Sequence, residues 1–299
     1  MPIHEFKADL LPKIRELDIG VRKKVLSQTL TGNLVTRFKG SGYEFEGFRN
    51  YQPTDDASKI DWKAYLRSNK LMVREYDMER SFFVFIMVDV SNSMLFSSTD
   101  KLKCEYAAEV ASSLCYSMSD IGAGVGYCLF NDKVIAKQKP ELSMRNYHNF
   151  VKELKNVNNY GGKFSFSKSV KEVLGFLKEK TFVIIISDFI GLDEHWFKYL
   201  QILSQMFQVN AVMIRDPRDR KLPEDVGQYV LEDPYTKEKL YIDVNQYGKA
   251  YEEYVMEEER LIRRKFELAK SEFLSISTDT SYMDKLIKLE FYSEYMDKI

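Results

Sequence analysis

Three polar side chains with oxygen atoms suited to hard metal ions follow a strongly apolar segment. Residues 82–88 are apolar and rich in aromatic and β-branched types, which is typical of a strand buried on both faces. Asp89, Ser91 and Ser93 follow in alternate positions, so a turning loop could direct all three toward one point. One carboxylate and two hydroxyls are ligands that Mg²⁺ accepts, and they leave several coordination positions open. The residues therefore predict a site for Mg²⁺ or Mn²⁺.

A second apolar segment ends in a similar way. Residues 181–186 predict another buried strand, which runs into Ser187 and Asp188. If the two strands are neighbours, both carboxylates reach the crevice at the carboxyl ends of the strands, where open α/β sheets bind ligands. The alternative is helix capping, because Asp or Ser after a strand is also a common first residue of a helix.

Strands and helices alternate from about residue 81 onward. Strands are predicted at 123–130, 181–187 and 208–215, and helices at 101–118, 143–155, 166–179 and 193–206. This alternation predicts an α/β fold, with a doubly wound, mostly parallel sheet and helices on both faces. Two further strand patterns flank Asp233-Pro234-Tyr235-Thr236, which predicts a β-hairpin insertion at about 216–244.

The N-terminal part of the chain follows a different pattern. Apolar periodicity predicts a helix over 10–30, and a β-rich segment follows over about 36–78. We therefore expect an N-terminal helix and β-rich extension at 1–78 and the α/β domain at 79–299. The extension carries a charged set that is either an ion-pair network or a docking surface for a partner. Its candidate partner-binding residues are Arg49, Asp56, Arg67 and Arg74.

Composition excludes several classes of function. The 299 residues carry a formal net charge of −1, so no basic excess indicates nucleic-acid binding. Cys104, Cys115 and Cys128 form no Cys/His cluster, which disfavours a zinc site. No apolar run approaches the ~20 residues of a spanning helix, and no signal peptide is evident. We expect a cytoplasmic protein without a membrane span.

Several motifs resemble those of known families. Asp89-x-Ser91-x-Ser93 with a later strand ending in Asp188 is similar to the metal-ion-dependent adhesion site of von Willebrand factor A domains. Other segments, spread over nearly the whole chain, resemble the DUF58 family. They are GSGYEF (40–45), RNYQP (49–53), DD (55–56), IDWK (60–63), LMVREY (71–76), RDP (215–217), LP (222–223) and EDP (232–234).

The resemblance implies a fold, a site and a partner. The fold is von Willebrand factor A-like, the two serines bind the metal directly, and the aspartates help directly or through water. Members of the DUF58 family tend to accompany MoxR-type AAA+ ATPases, which implies an accessory protein that is not an enzyme. The ATPase and an unidentified client protein, which the pair would remodel or mature, are the expected partners.

One loop departs from the resembled site. Von Willebrand factor A domains supply a metal-binding Thr after a Gly-Gly pair, whereas this chain continues from Gly162 into Lys163 and Phe164. The nearest hydroxyl is that of Ser165, a possible further ligand. Lys163 could instead place an ammonium in the crevice and stand in for the ion, which would make the site vestigial.

Three functions therefore remain open. The first is metal-ion-dependent protein recognition at Asp89, Ser91, Ser93 and Asp188. The second is a metal-free scaffold that docks the ATPase through the N-terminal extension. The third is a hydrolase using Asp89, which we disfavour because the three histidines are scattered and no GxSxG motif occurs.

Overall fold

The computed structural model of the protein describes residues 6–8, 10, 43–51, 60–68, 70–78, 83–120, 122–177, 181–224 and 227–288. The chain divides into two compact units, one formed by Val35–Ser81 and the other by Met1–Leu34 together with Phe82–Ile299. Apart from Leu10, the helix predicted over 10–30 lies outside the described residues.

The described residues of the smaller unit form two antiparallel strands and a helix. They are β1 (Tyr43–Asn50), α1 (Trp62–Ser68) and β2 (Met72–Met78). Asp61 determines where α1 begins, because its Oδ1 accepts hydrogen bonds from the backbone amides of Lys63 and Ala64 at 2.9 and 3.0 Å. The predicted β-rich character of this region is therefore present.

Eight strands lie in the described part of the larger unit. They are β3 (Phe83–Asp89), β4 (Gly124–Phe130), β5 (Val134–Glu141), β6 (Thr181–Ser187), β7 (Gln208–Arg215), β8 (Gln228–Glu232), β9 (Lys239–Asp243) and β10 (Glu272–Ser277). Six of them form one sheet in the order β10-β7-β6-β3-β4-β5. All neighbours in it are parallel except β5, which runs antiparallel to β4. Strands β8 and β9 form the predicted hairpin.

Seven helices accompany these strands in the described part of the larger unit. They are α2 (Lys103–Asp120), α3 (Met144–Lys155), α4 (Phe166–Leu174), α5 (Trp196–Met206), α6 (Pro217–Arg220), α7 (Val244–Leu268) and α8 (Met283–Lys288). Two short 3₁₀ turns, Asn92–Leu95 and Val157–Asn159, lie in the loops. Several helices are shorter than predicted; α4, for example, ends at Leu174 instead of continuing to 179.

The central sheet is buried on both faces. Along β3, Val84, Ile86 and Val88 belong to a core shared with α2 and α3, whereas Phe85 and Met87 belong to a core shared with α4, α5 and α7. Successive side chains of a strand point to opposite faces, so a continuous apolar run can serve both cores. The predicted fold class, α/β with a mostly parallel sheet and helices on both faces, is confirmed.

The order of the strands creates a crevice next to β3. The chain leaves β3 toward β4 and β5, and then returns to the opposite side of β3 with β6. This reversal is a topological switch point, where the loops after β3 and β6 diverge and open a crevice at their carboxyl ends. Asp89 ends β3, and Asp188 directly follows β6.

The first described residues belong with the larger unit. The rings of Phe6 and Tyr160 lie 5.6 Å apart, and Leu10 is buried in the core beside α2. The predicted boundary between residues 78 and 79 remains a prediction.

Among the helices of the described residues, none combines the length and the apolar character needed to cross a membrane.

Candidate functional site

Four predicted site residues lie together at the switch point. Asp89, Ser91, Ser93 and Asp188 are all buried. The Ser93 hydroxyl donates to Asp188 Oδ1 at 3.1 Å, and the Oγ atoms of Ser91 and Ser93 lie 3.2 Å apart. Two hydroxyls and one carboxylate oxygen therefore form a continuous chain of contacts. Metal binding by these residues remains a prediction.

Asp89 shapes the loop that carries the serines. Its Oδ1 accepts a hydrogen bond from the backbone amide of Ser91 at 2.8 Å, and its Oδ2 accepts one from the Ser187 hydroxyl at 2.6 Å. Burial, and then the nearby charge of Asp188, raise the pKa of Asp89 from 3.8 to about 7. A positive charge near these two carboxylates would therefore favour the ionised form of Asp89.

A lysine that the sequence analysis missed lies in the crevice. The Nζ atom of Lys103, in the first turn of α2, lies 2.8 Å from Asp188 Oδ2 and 2.8 Å from Asp219 Oδ2. Only 1% of the Lys103 side chain is exposed. Burial by itself lowers the pKa of Lys103, but the two carboxylates outweigh this effect and raise it above its ordinary value. Lys103 is therefore a permanent buried cation.

Lys163, the lysine proposed from the sequence, is exposed and does not provide the buried ammonium. Its loop is held by Asn92, whose backbone amide donates to the carbonyl of Gly162 and whose Oδ1 accepts from the Gly162 amide, each at 3.0 Å. Gly161 and Gly162 both have positive φ, which turns the backbone before Lys163. The stand-in role proposed for Lys163 is therefore wrong, and the residue that supplies an ammonium is Lys103.

Ser165 has a different partner. Its hydroxyl donates to Asp193 Oδ2 at 3.1 Å, and Asp193 also accepts a hydrogen bond from the backbone amide of Ser167. Phe164, the residue before Ser165, is buried beside Phe130. The Ser165 hydroxyl is thus hydrogen-bonded to Asp193, and its role as a further metal ligand remains a prediction.

A tyrosine from the hairpin fills the space facing the serines. The Tyr235 hydroxyl lies 2.9 Å from Ser93 Oγ, 3.3 Å from Ser91 Oγ and 3.0 Å from the carbonyl oxygen of Ile190. Burial, followed by the charges of Asp188 and Asp89, raises the pKa of Tyr235 above its ordinary value, so the hydroxyl keeps its proton. That proton can be donated to Ser93, to Ser91 or to the carbonyl oxygen of Ile190.

The donor set suits a hard divalent cation. Within the described residues, no group of three or more His, Cys, Asp and Glu side chains could hold a metal, so a cation here would depend on the serine hydroxyls. Ser91 and Ser93 could bind it directly, and Asp188 and Asp89 directly or through water. Around Lys103 and the serines, three carboxyl groups (Asp89, Asp188 and Asp219) accompany one ammonium, so a cation would offset the excess negative charge that is present once Asp89 is ionised.

The predicted partner-binding residues belong to the smaller unit. Arg67 is exposed at the end of α1. Arg49 and Arg74 lie on β1 and β2, and their side chains are outside the described set, as is the whole of Asp56. The structure therefore supplies a surface position for Arg67 alone among these four.

Similar proteins include an uncharacterized protein of Mycobacterium tuberculosis. It is 26% identical over 226 residues, which cover 75% of this chain and 70% of the relative. Among solved structures, an aerotolerance-related membrane protein of Bacteroides fragilis matches over 73% of this chain and 100% of its own, with 16% identity and a TM-score of 0.47. A von Willebrand factor type A protein of Catenulispora acidiphila matches over 48% of this chain and 35% of its own, with 10% identity and a TM-score of 0.32.

TM-scores this low carry no weight in assigning the site. The family comparison decides the assignment, since one family model, described as "Protein of unknown function DUF58", matches residues 47–260, which is well over half of the 299 residues. These residues include β3, β6 and the hairpin, and hence every side chain that meets at the crevice. The chain therefore belongs to the DUF58 family.

Proposed function

We propose that the protein is a protein–protein interaction module whose crevice binds Mg²⁺ or Mn²⁺ and, through it, a carboxylate of a partner protein. The observation that carries the proposal is the convergence of the Ser91 and Ser93 hydroxyls with Asp188 at a switch-point crevice that holds more acids than bases. When bound, the cation would supply an open coordination position for the carboxylate of the partner.

The surrounding residues hold this site in shape. Asp89 fixes the serine loop through the Ser91 amide. Lys103 holds Asp188 through Oδ2, which leaves Oδ1 directed at Ser93. Prearranged ligands of this kind lose little conformational entropy on binding.

The expected partner follows from the family resemblance. We propose that a MoxR-type AAA+ ATPase, its client protein, or both bind the module, and that the module acts as an adaptor in the remodelling or maturation of the client. This role predicts partner binding that is lost with a chelator and in Asp89→Ala. A cytoplasmic location remains a prediction.

Thermal unfolding with millimolar MgCl₂ or MnCl₂ and with EDTA tests the cation site. A ligand that binds only the native state stabilises it by RT ln(1 + [L]/Kd), about 1.4 kcal/mol at ten times Kd. We expect the metal to raise the Tm of the wild type and to leave that of Ser93→Ala unchanged. Ser165→Ala is the matched control and should respond like the wild type, because Ser165 is bonded to Asp193. An unchanged Tm, with no Mn²⁺ bound by a direct measurement, would refute the cation site if it were found both in the wild type and in Tyr235→Phe, which lacks the hydroxyl that faces the serines.

A metal-free scaffold is the second candidate. It is favoured by Lys103 and Tyr235, which already provide partners for Asp188 and the serines, and by two exposed apolar residues of α1. Trp62 is 61% and Leu66 83% exposed. In this case Leu66→Ser would weaken binding to the ATPase, whereas EDTA and Asp89→Ala would leave it unchanged.

The geometry gives little support to a hydrolase. Asp89 is fully buried, and each of its oxygens already accepts a hydrogen bond, from Ser91 or Ser187. A nucleophilic carboxylate needs an oxygen that a substrate can approach. We therefore propose a role in binding.

A further inference from the structure

The tip of the β8–β9 hairpin, defined as residues 233–238, covers the crevice. We infer that this tip is a built-in cap, which withdraws Tyr235 from Ser91 and Ser93 before a cation and a partner carboxylate can bind. The inference rests on the proposed function, because the cap regulates the same site.

The cap is held by polar contacts at two points. The Tyr235 hydroxyl contacts Ser93, Ser91 and the carbonyl of Ile190. The Asn92 amide group, between the two serines in the sequence, donates to the carbonyl oxygen of Pro234 at 3.2 Å. A hydroxyl placed on both serines competes with a cation for the same oxygen lone pairs.

The tip is shaped so that the tyrosine ring can reach the crevice. Asp233 Oδ1 accepts hydrogen bonds from the backbone amides of Tyr235 and Thr236, both at 2.7 Å, which closes a compact turn. Gly191 lies next to the ring: it has a φ of +82°, and a Cβ placed there would lie 2.8 Å from the Tyr235 ring. The absence of a side chain at Gly191 therefore makes room for the ring.

The hairpin can move without breaking the central sheet. In the described structure, β8 and β9 form a two-stranded sheet of their own, separate from the six-stranded sheet. Much of the hairpin surface is exposed, including Val230, Leu240 and Tyr241. A two-stranded sheet on its own is marginally stable, so the contacts of the tip contribute strongly to its position.

A closed cap lowers the apparent affinity for the cation. If only a fraction of molecules is open, the apparent Kd is the intrinsic Kd divided by that fraction. Tyr235→Phe keeps the ring against Gly191 and removes the hydroxyl. We expect this variant to bind Mn²⁺ about tenfold more tightly than the wild type, which corresponds to about 1.4 kcal/mol.

The test is a titration of each 299-residue protein with Mn²⁺, in which free Mn²⁺ is followed by electron paramagnetic resonance. Tyr241→Phe is the matched control, because Tyr241 lies on the same hairpin and is 75% exposed. It should bind Mn²⁺ like the wild type. Gly191→Ala, which pushes against the ring, should tighten binding in the same direction as Tyr235→Phe.

The possible outcomes distinguish a failure of the cap proposal from a failure of the proposed cation site. Equal Mn²⁺ affinity in the wild type and Tyr235→Phe would overturn the cap and leave the cation site intact. Weaker binding in Tyr235→Phe would make Tyr235 a ligand and also overturn the cap. Binding in none of the variants would overturn the cation site and the cap together. Binding in Tyr235→Phe that is tighter than in the wild type, or present there alone, supports both.

Discussion

Lys103→Met is expected to lower the free energy of unfolding by about 3–5 kcal/mol, because it leaves buried acids without their cation. Methionine retains much of the length and apolar stem of lysine, so the main loss is the ammonium group. Asp188 is fully buried and Asp219 largely so, and Lys103 lies 2.8 Å from a carboxylate oxygen of each. Urea denaturation in the presence of EDTA measures this loss in the absence of divalent cations.

Lys163→Met is the matched control for this prediction. Lys163 is exposed, and exposed substitutions usually change stability by less than about 0.5 kcal/mol. If the two variants were equally stable, Lys103 would not be the buried counter-ion of Asp188. If Mg²⁺ stabilises Lys103→Met more than it stabilises the wild type, the ion and the ammonium compensate the same negative charge.

The stability of Asp89→Asn relative to the wild type is expected to rise by about 4 kcal/mol between about pH 4 and pH 8. The pKa of Asp89 in the folded protein is raised from 3.8 to about 7, which is about three units at 1.36 kcal/mol each. Between these two values the native state holds a proton that the unfolded chain has released. Stability due to Asp89 therefore falls as the pH rises through this window, and it changes little above pH 7.

Urea midpoints measured across this pH range in EDTA, for the wild type and for Asp89→Asn, check this prediction. Asparagine cannot ionise, so the variant lacks this loss of stability, and titrating groups remote from Asp89 cancel in the difference. Parallel curves for the two proteins would contradict the raised pKa of Asp89.

Asp193→Asn is a control for the prediction on Asp89, because the change of stability with pH should have the opposite sign. Burial tends to raise the pKa of Asp193, but hydrogen bonds from Ser167 and Ser165 outweigh it and lower the pKa. The wild type should therefore gain stability over Asp193→Asn as the pH rises through the range in which this carboxyl group ionises.

The central strands and the position of the candidate site follow from local sequence patterns. The apolar run at 82–88 is long enough for one strand and has no polar face, which predicts a strand between two layers of helices. Asp89 and Asp188 each follow such a run, so the carboxyl edge of a parallel sheet is the expected location of both. The structure places them there because β3 and β6 are neighbours.

The side chains that contact Asp188 and Ser93 were decided by tertiary structure alone. Lys103 lies 85 positions from Asp188 in the sequence, and Tyr235 lies 142 positions from Ser93. A lysine in the first turn of a helix opposes the helix dipole, which was a signal that a carboxylate lies nearby. The aromatic residue within the Asp-Pro-Tyr-Thr turn was likewise a signal that its side chain contacts another part of the protein, because polar residues and glycine dominate turns.

The sequence by itself determined which segments are strands and which edge of the sheet carries the acids, because both depend on the pattern of neighbouring residues. Only the tertiary structure decided that Lys103, rather than Lys163, pairs with Asp188 and that Tyr235, rather than Ser165, faces Ser91 and Ser93. The physical reason is that both outcomes depend on the path of long-range loops. A glycine turn directs Lys163 to solvent, and a hairpin far along the chain brings Tyr235 to the crevice.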